Sequence, residues 1–247
     1  MGENFDENFL KEIATRLTEW FVRYGRKFSW RKLRDPNMIL ITELLFQRTR
    51  AETIEKVYNE FMSKYGDLDR LASASPDELQ RFFSKLGLLY RSERLVDVAR
   101  EIKEKYGGNV PCDFEKLLQL RGIGVYVASA VLNFGCGKPT PVIDKNVMRV
   151  INRLAGITRE TEARRFIESL YKFGDHRVIS YALIDLGATV CKKTPSCNKC
   201  PLNGVCPKHL LKENEWRMLR KVVGKNGEIR LQEQPITSKR SIMKKQG

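Results

Sequence analysis

The spacing of the apolar residues constrains the fold of this chain more than any other feature. They recur mostly at intervals of three and four positions, as on one face of an α-helix, and the two-residue alternation of strands is scarce. Prolines, glycines and early acidic residues mark several segment ends, as in "SASPDEL". The pattern predicts an all-α protein, with helices at about 7–24, 36–48, 51–65, 77–86, 91–106, 113–119, 124–136, 143–154, 161–172 and 176–190.

The charge balance indicates a polyanionic partner. Among 247 residues, 45 Lys and Arg stand against 30 Asp and Glu, which gives a formal net charge of +15. This excess favours binding to nucleic acid or to an anionic membrane surface, the alternative being a solvated basic surface or a basic tail. Because no apolar run reaches membrane-spanning length and the N-terminus has no apolar signal region, we expect an intracellular protein.

The stretch "LRGIGVYVASAVL" predicts a tight turn between two helices. Gly122 and Gly124 can adopt backbone angles that are closed to other residues, and a helix starts at the turn. Such a hairpin aims successive N–H groups outward, and the positive end of the helix dipole faces the same way. Gly122, Gly124 and Val125 are therefore candidates for binding a nucleic-acid phosphate, the alternative being an ordinary glycine turn.

Several motifs over roughly residues 20–207 resemble one protein family. The hairpin "LRGIG", the "GKP" segment and the aspartate that follows it resemble the helix-hairpin-helix DNA glycosylase superfamily, which includes endonuclease III-like and MutY-like enzymes. Arg121 departs from the proline of the family hairpin. The resemblance implies a helical domain over 27–138 and a second over 1–26 plus 139–207 with an iron–sulfur loop. Loss of periodicity and eleven Lys or Arg against four Glu indicate a basic C-terminal arm over 208–247, the alternative being a short packed helix followed by a tail.

Two carboxylates are candidates for catalysis. Asp144 stands where the family has an aspartate at the mouth of its base pocket, which implies stabilisation of the positive charge that forms on deoxyribose as a base departs. Asp144 could also simply cap the next helix, and Asn146 is expected to orient the backbone there. Glu43 stands alone in the apolar stretch "MILITELLF", where burial would raise its pKa and suit it to proton transfer, unless it lies solvated at a helix end.

Tyr126 bears on whether the DNA strand is also cut. Bifunctional relatives carry at this position a lysine whose amine forms a Schiff base with the sugar, and tyrosine cannot do so. The resemblance therefore implies a monofunctional glycosylase that leaves an intact abasic site, although Lys145 lies next to Asp144.

The cysteines fall into two groups. Four of them, Cys191, Cys197, Cys200 and Cys206, lie within sixteen residues and could hold either a [4Fe–4S] cluster or tetrahedral zinc. The family pattern implies the [4Fe–4S] cluster, although the first gap is one residue shorter here. Cys112 and Cys136 stand apart and are expected to be ordinary buried or half-buried thiols.

A base inside a duplex must be rotated out before its glycosidic bond can be reached. The resemblance places Gln47, Arg48 and Leu88 (or Leu89) in the segments that fill the resulting gap, with plain core packing as the alternative for the leucines. It places Ala51 at the substrate pocket. Tyr181 matches neither branch of the family, and its side chain could line the pocket or simply pack.

The motifs most resemble those of the archaeal Mig-type thymine–guanine mismatch glycosylases. We therefore expect a monomeric enzyme of base excision repair that removes thymine, and also uracil, opposite guanine in double-stranded DNA. Removal of adenine opposite guanine or 8-oxoguanine is the alternative within the family. A DNA-binding module without catalytic activity, or a zinc-containing interaction protein, is the alternative from another class.

Overall fold

A computed structural model of the chain describes residues 5–47, 49, 51–84 and 91–210. These residues contain no strand, which confirms the all-α class, and none of their helices is both long and apolar enough to cross a membrane. The α-helices are α1 (Glu7–Tyr24), α2 (Pro36–Phe46), α3 (Ala51–Tyr65), α4 (Leu68–Ser73), α5 (Pro76–Ser84), α6 (Arg91–Tyr106), α7 (Phe114–Gln119), α8 (Val125–Ala130), α9 (Lys145–Ala155), α10 (Glu160–Tyr171), α11 (His176–Thr189) and α12 (Pro207–Leu210). Short 3-10 segments lie at Ser29–Lys32 and Cys197–Lys199.

Aspartate side chains define where many of these helices begin. Each accepts a hydrogen bond from a backbone N–H of the first helical turn, which has no partner within the helix. The capping residues are Asp6, Asp35, Asp67, Asp113, Asp144 and Asp175.

Two hydrophobic cores form the interior of the described chain. The first is centred on α2 and extends through the helices that follow it, as far as α8. The second is formed by α1, α9, α10 and α11. α11 joins the two, because Tyr181 packs into the first core while its neighbour Ala182 packs into the second. The domain boundaries expected from the sequence stay a prediction.

Apart from shifts of one or two residues at helix ends and the short α12, which was not predicted, the observed helices differ from the predicted ones in two places. α4 was not predicted, because its six residues are too short to show a helical period. The helix predicted over 124–136 is α-helical only as far as Ala130 and continues as a π-turn, Val131–Gly135. In this turn the N–H of Cys136 bonds the carbonyl of Val131, five residues back, at 3.0 Å.

The expectation of separate thiols at Cys112 and Cys136 is wrong, because the two form a disulfide. Cys112 lies just before α7, and Cys136 lies directly after the π-turn. The bond therefore ties together the two ends of the helix-hairpin-helix segment. Their 24-residue separation hid the pairing in the sequence. Closing a loop of this length stabilises a folded chain by about 3 to 4 kcal/mol in the chain-entropy account.

Candidate active site

Glu43 lies in α2, where every residue from Ile39 to Leu45 is buried. Only 9% of Glu43 is exposed. Burial raises the pKa of its carboxyl group to about 7, an effect that the positive charge of Arg31 partly offsets. The group can therefore gain or lose a proton near neutral pH, as a general acid and base must.

Tyr126 lies close to both predicted catalytic carboxylates. Burial raises the pKa of its hydroxyl group well above the ordinary value, and the negative charges of Glu43 and Asp144 raise it further. The phenol therefore stays protonated and remains a hydrogen-bond donor beside the two acids. The structure thus brings Glu43, Tyr126 and Asp144 into one cluster, although α2, α8 and the start of α9 lie far apart in the sequence.

The carboxylate of Asp144 is held in a fixed orientation at the start of α9. Oδ1 accepts hydrogen bonds from the backbone N–H groups of Asn146 at 2.9 Å and Val147 at 2.7 Å. Oδ2 accepts one from the side-chain amide of Asn146 at 3.0 Å. Asp144 is therefore a helix cap, as the sequence allowed. A half-buried carboxylate that is held in place can also stabilise a nearby positive charge without having to reorient.

A buried ion-pair network that sequence reasoning missed lies beside these residues. Asp185 of α11 is fully buried, and its Oδ1 contacts Nη2 of Arg31 at 2.6 Å and Nη2 of Arg26 at 2.8 Å. One signal for it was available, because Asp185 stands alone in the apolar run "VISYALIDLGA" much as Glu43 does in its own helix. The arginines give no such signal, since "YGRKFSWRK" resembles an exposed polar loop.

Arg31 retains two buried donor groups that bind nothing in the described part of the protein. Nη2 bonds Asp185, whereas Nε and Nη1 have no hydrogen-bond partner there. Because Arg31 interacts electrostatically with both Glu43 and Tyr126, these donors belong to the same cluster. Unpaired buried donors cost free energy, so an oxygen atom of a bound ligand would be a favourable partner for them.

Both faces of the Tyr181 ring are covered by other side chains. The ring of Phe134 stacks on it with 3.9 Å between centroids and 8° between planes, and the guanidinium carbon of Arg31 lies 3.8 Å from the Tyr181 centroid. Two groups this close to one centroid must occupy opposite faces. Only the edge and the hydroxyl group of Tyr181 can therefore contact a ligand. A base could not stack on its ring.

The two hairpin glycines have different structural roles. Gly122 has φ +83°, its carbonyl accepts a hydrogen bond from Arg94, and an added Cβ would meet the guanidinium group of Arg94. Gly124 has an ordinary φ of −97°, is exposed, and has open space where a Cβ would stand. Gly124 precedes α8, whose first turn no side chain caps, and Val125 is 42% exposed. The fold thus requires a glycine at 122, whereas Gly124 leaves the start of α8 open.

α9 connects Asp144 to the cysteine loop. Arg149 donates hydrogen bonds to the side-chain oxygen of Asn146 at 2.8 Å and to the carbonyl of Cys191 at 2.9 Å. One turn later, Arg153 donates to the carbonyl of Lys192 at 2.6 Å. One helix therefore holds both the candidate carboxylate and the start of the loop.

The four loop cysteines are chemically suited to an iron–sulfur cluster. None of the four forms a disulfide, and all are half-buried and line one cavity, together with apolar residues such as Leu154 and Leu202. Burial and the other three thiols raise the pKa of Cys200 to about 11. No three His, Cys, Asp or Glu side chains within the described ranges converge on a single metal ion. A [4Fe–4S] cluster does not require such convergence, because each thiolate binds a different iron.

The remaining predicted site residues are not part of this cluster as described. Gln47 follows the last residue of α2, and Ala51 begins α3 and packs against the first core. Their roles stay predictions. Arg48 and Leu88, with the alternative Leu89, lie outside the described residues.

Comparison with known proteins relates this arrangement to DNA repair. The family model described as "HhH-GPD superfamily base excision DNA repair protein" matches residues 41–173. The thymine-DNA glycosylase of Aeropyrum pernix is 34% identical over 214 residues, which cover 81% of this chain and 96% of that protein. The thymine/uracil-DNA glycosylase of Pyrobaculum aerophilum is 34% identical over 77% of this chain and 88% of its own length.

A solved structure of a thermostable thymine-DNA glycosylase superimposes on the fold with a TM-score of 0.76 at 31% sequence identity. The match covers 82% of this chain and 97% of that structure. The likeness therefore extends well beyond the hairpin, through both hydrophobic cores.

The different roles of the hairpin glycines can be tested with one substitution at each. Gly122→Ala should lower the free energy of unfolding by about 1 to 3 kcal/mol, because alanine is strained at positive φ, and further because its Cβ would meet Arg94. Gly124→Ala should change stability by less than about 1 kcal/mol. It should weaken duplex DNA binding by about tenfold or more if phosphate contacts the start of α8. Denaturant unfolding measures the stability of each variant, and a titration with duplex DNA measures its affinity. Wild-type affinity in Gly124→Ala would rule out a phosphate contact at the start of α8.

The raised pKa of Glu43 predicts a pH-dependent cost in stability. Below about pH 4.5 the carboxyl group is protonated in both the folded and the unfolded chain, so its ionisation does not lower the free energy of unfolding. Between about pH 4.5 and pH 7 only the unfolded chain releases this proton, which favours unfolding. Glu43→Gln should therefore be more stable to denaturant than wild type by about 3 kcal/mol at about pH 8, whereas at about pH 4 the two should unfold at similar denaturant concentrations. The exposed Glu60→Gln serves as control. An equal difference at both pH values would contradict the raised pKa.

Proposed function

The chain belongs to the HhH-GPD superfamily of base excision DNA repair proteins, and from this membership we propose that it is a DNA glycosylase removing thymine, and also uracil, opposite guanine. The observation that carries the chemistry is the cluster of Glu43, Tyr126 and Asp144. The choice of base is supported by the relatives named thymine-DNA and thymine/uracil-DNA glycosylase. We propose that the enzyme acts inside the cell as a monomer on double-stranded DNA.

The hairpin is proposed to hold the DNA backbone. The uncapped N–H groups at the start of α8 can donate to a phosphate, and Gly124 leaves space for it to approach. These contacts position the DNA without reading its sequence. They also tie the backbone to the helix that carries Tyr126, so that a nucleotide rotated out of the duplex would meet the cluster of acids.

Glu43 and Asp144 are proposed to share the work of breaking the glycosidic bond. As the bond between the base nitrogen and C1′ breaks, its electron pair leaves with the pyrimidine, and protonated Glu43 supplies a proton to that base. The deoxyribose becomes positively charged, and the fixed carboxylate of Asp144 stabilises this charge. A water molecule then adds to C1′ and returns its proton to the Glu43 carboxylate.

Arg31 is proposed to hold the departing base. Thymine and uracil carry carbonyl oxygens, and Nε and Nη1 of Arg31 are buried donors that lack a partner among the described residues. Hydrogen bonds from an arginine to a carbonyl that gains negative charge strengthen as the bond breaks. Asp185 keeps the guanidinium in place.

Tyr126 is proposed to make the enzyme monofunctional. A phenol has no amine nitrogen, so Tyr126 cannot form with C1′ the Schiff base by which bifunctional glycosylases cut the strand. It can still donate a hydrogen bond to either neighbouring carboxylate. The expected product is an intact abasic site.

Cleavage assays on a panel of duplexes test this function. Incubation with T:G, U:G, A:G and A:8-oxoguanine duplexes should produce strand breaks only with T:G and U:G, and only after alkali treatment of the product. Asp144→Asn should reduce this cleavage by about a hundredfold or more while leaving DNA binding largely intact.

Asp67→Asn is the matched control, because Asp67 caps α4 with the same kind of hydrogen bond. It should cleave like wild type. Cleavage confined to the adenine duplexes would indicate an adenine glycosylase, and tight binding without any cleavage would indicate a DNA-binding module. Full turnover by Asp144→Asn would mean that another group stabilises the sugar.

Cys191, Cys197, Cys200 and Cys206 are proposed to hold a [4Fe–4S] cluster. When bound, the cluster would contribute four iron–thiolate bonds that hold the loop. The lysines of the loop, including Lys192 and Lys199, would then present a basic surface to DNA.

Iron and acid-labile sulfide analysis of the purified chain should find four of each for one polypeptide if this cluster is present. One zinc ion in their place would contradict the assignment. It would not affect the assignment of the carboxylates.

A further inference from the structure

The π-turn, Val131–Gly135, packs against two helices that carry site residues. On one side Gly135 lies against the start of α2, where an added Cβ would stand 2.7 Å from the Cα of Pro36. On the other side Asn133 and Phe134 meet α11. Because α2 carries Glu43 and α8 runs directly into the turn with Tyr126, the turn lies at the junction of three helices that supply the site.

Asn133 is the polar anchor of this turn. Its side chain is fully buried between the two hydrophobic cores, and each of its polar atoms has a partner. Nδ2 donates to a backbone carbonyl at 2.8 Å and to two hydroxyl groups at 3.2 and 3.4 Å, and Oδ1 lies 3.2 Å from a histidine nitrogen. The partners are Thr140, Ser180, Tyr171 and His176, respectively.

The hydrogen bond between Asn133 and Ser180 lies directly beside the aromatic stack. Phe134 follows Asn133 and Tyr181 follows Ser180, so adjacent residues on the two elements form one polar pair and one stacked pair. A shift of the polar pair along α11 must therefore also shift Phe134 relative to Tyr181. The hydroxyl of Tyr171 reinforces the pair by bonding Ser180 at 2.6 Å.

We propose that Asn133 is a positioning residue that sets the base selectivity of the site. It fastens the π-turn to α11 and so holds the stack of Phe134, Tyr181 and Arg31 as a preformed wall beside Glu43 and Tyr126. This inference rests on the proposed glycosylase function. It assigns no chemical step to Asn133, which acts only through the side chains it holds.

Selectivity is the property that this wall should control. Thymine differs from uracil by one methyl group, and a difference of this size in a fitted pocket is worth about 10- to 200-fold in rate. Such discrimination requires a wall whose position is defined to a fraction of an ångström. Loosening the stack should therefore alter the relative rates on thymine and uracil, in addition to any loss of overall rate.

The test compares Asn133→Ala with Ser129→Ala at a temperature at which both are folded. Ser129 lies four residues earlier in α8, is fully buried, and its hydroxyl has no hydrogen-bond partner in the described chain. Asn133→Ala should change the ratio of single-turnover rates on T:G and U:G duplexes by about fivefold or more. Ser129→Ala should leave this ratio within about twofold. Equal losses on both duplexes in Asn133→Ala would show a merely structural role and overturn the proposal.

Near-ultraviolet circular dichroism provides a readout that needs no substrate. Asn133→Ala should change the aromatic spectrum in the same sense as Phe134→Leu, which removes the stacking ring, and an unchanged spectrum would overturn the proposal. If wild type cleaved neither duplex, the proposed function would fail, and the spectrum alone would decide the role of Asn133. If Asn133→Ala did not fold, Ser180→Ala, which removes the hydroxyl that Asn133 bonds beside the stack, should change both readouts in the same sense but less, and wild-type values for both would overturn the proposal.

Discussion

The buried carboxyl group of Glu43 is the constraint on which the rest of the site depends. A carboxylate in an apolar helix would normally be neutralised by a partner, and among the described residues the positive charge that acts on it is that of Arg31. Arg31 is instead held by Asp185, which is itself fully buried and also binds Arg26. Burial raises the pKa of Glu43 by more than the charge of Arg31 lowers it, so the carboxyl group can hold the proton needed for chemistry near neutral pH.

Polar contacts between the two hydrophobic cores appear wherever the site needs precise placement. Arg31, next to the first core, forms an ion pair with Asp185 of α11. Asn133 of the π-turn likewise forms hydrogen bonds with side chains of α10 and α11. Apolar packing alone tolerates small sliding movements, whereas buried hydrogen bonds are satisfied in only one arrangement. The hydrophobic cores stabilise the fold, and these few buried polar contacts fix the relative positions of the residues in the cluster.

Much of this arrangement could be predicted from the sequence. The helical period predicted the fold class, and the motifs predicted a family that the comparisons confirm. Glu43 was identifiable because a lone charge in an apolar run is conspicuous, and Asp144 because it follows the hairpin at the family spacing. The structure brings both beside Tyr126, while their catalytic roles remain predictions.

Other features depend on contacts that no local pattern encodes. The π-turn occurs within a stretch whose residues read as a continuous helix, and its last residue, Gly135, packs closely against the start of α2. Arg31 and Phe134 become site residues only because Tyr181, far along the chain, lies between them. The disulfide was missed for a similar reason, since its cysteines lie 24 residues apart and are adjacent only in the folded chain.

That disulfide makes the segment from Cys112 to Cys136 a covalently closed ring. The ring contains α7, the hairpin, α8 with Tyr126, and the π-turn. A protease that cut one peptide bond within it would leave both fragments attached through sulfur, and they would separate only on addition of a thiol reductant. The part of the chain proposed to grip DNA is therefore the part best protected against loss after a single backbone break.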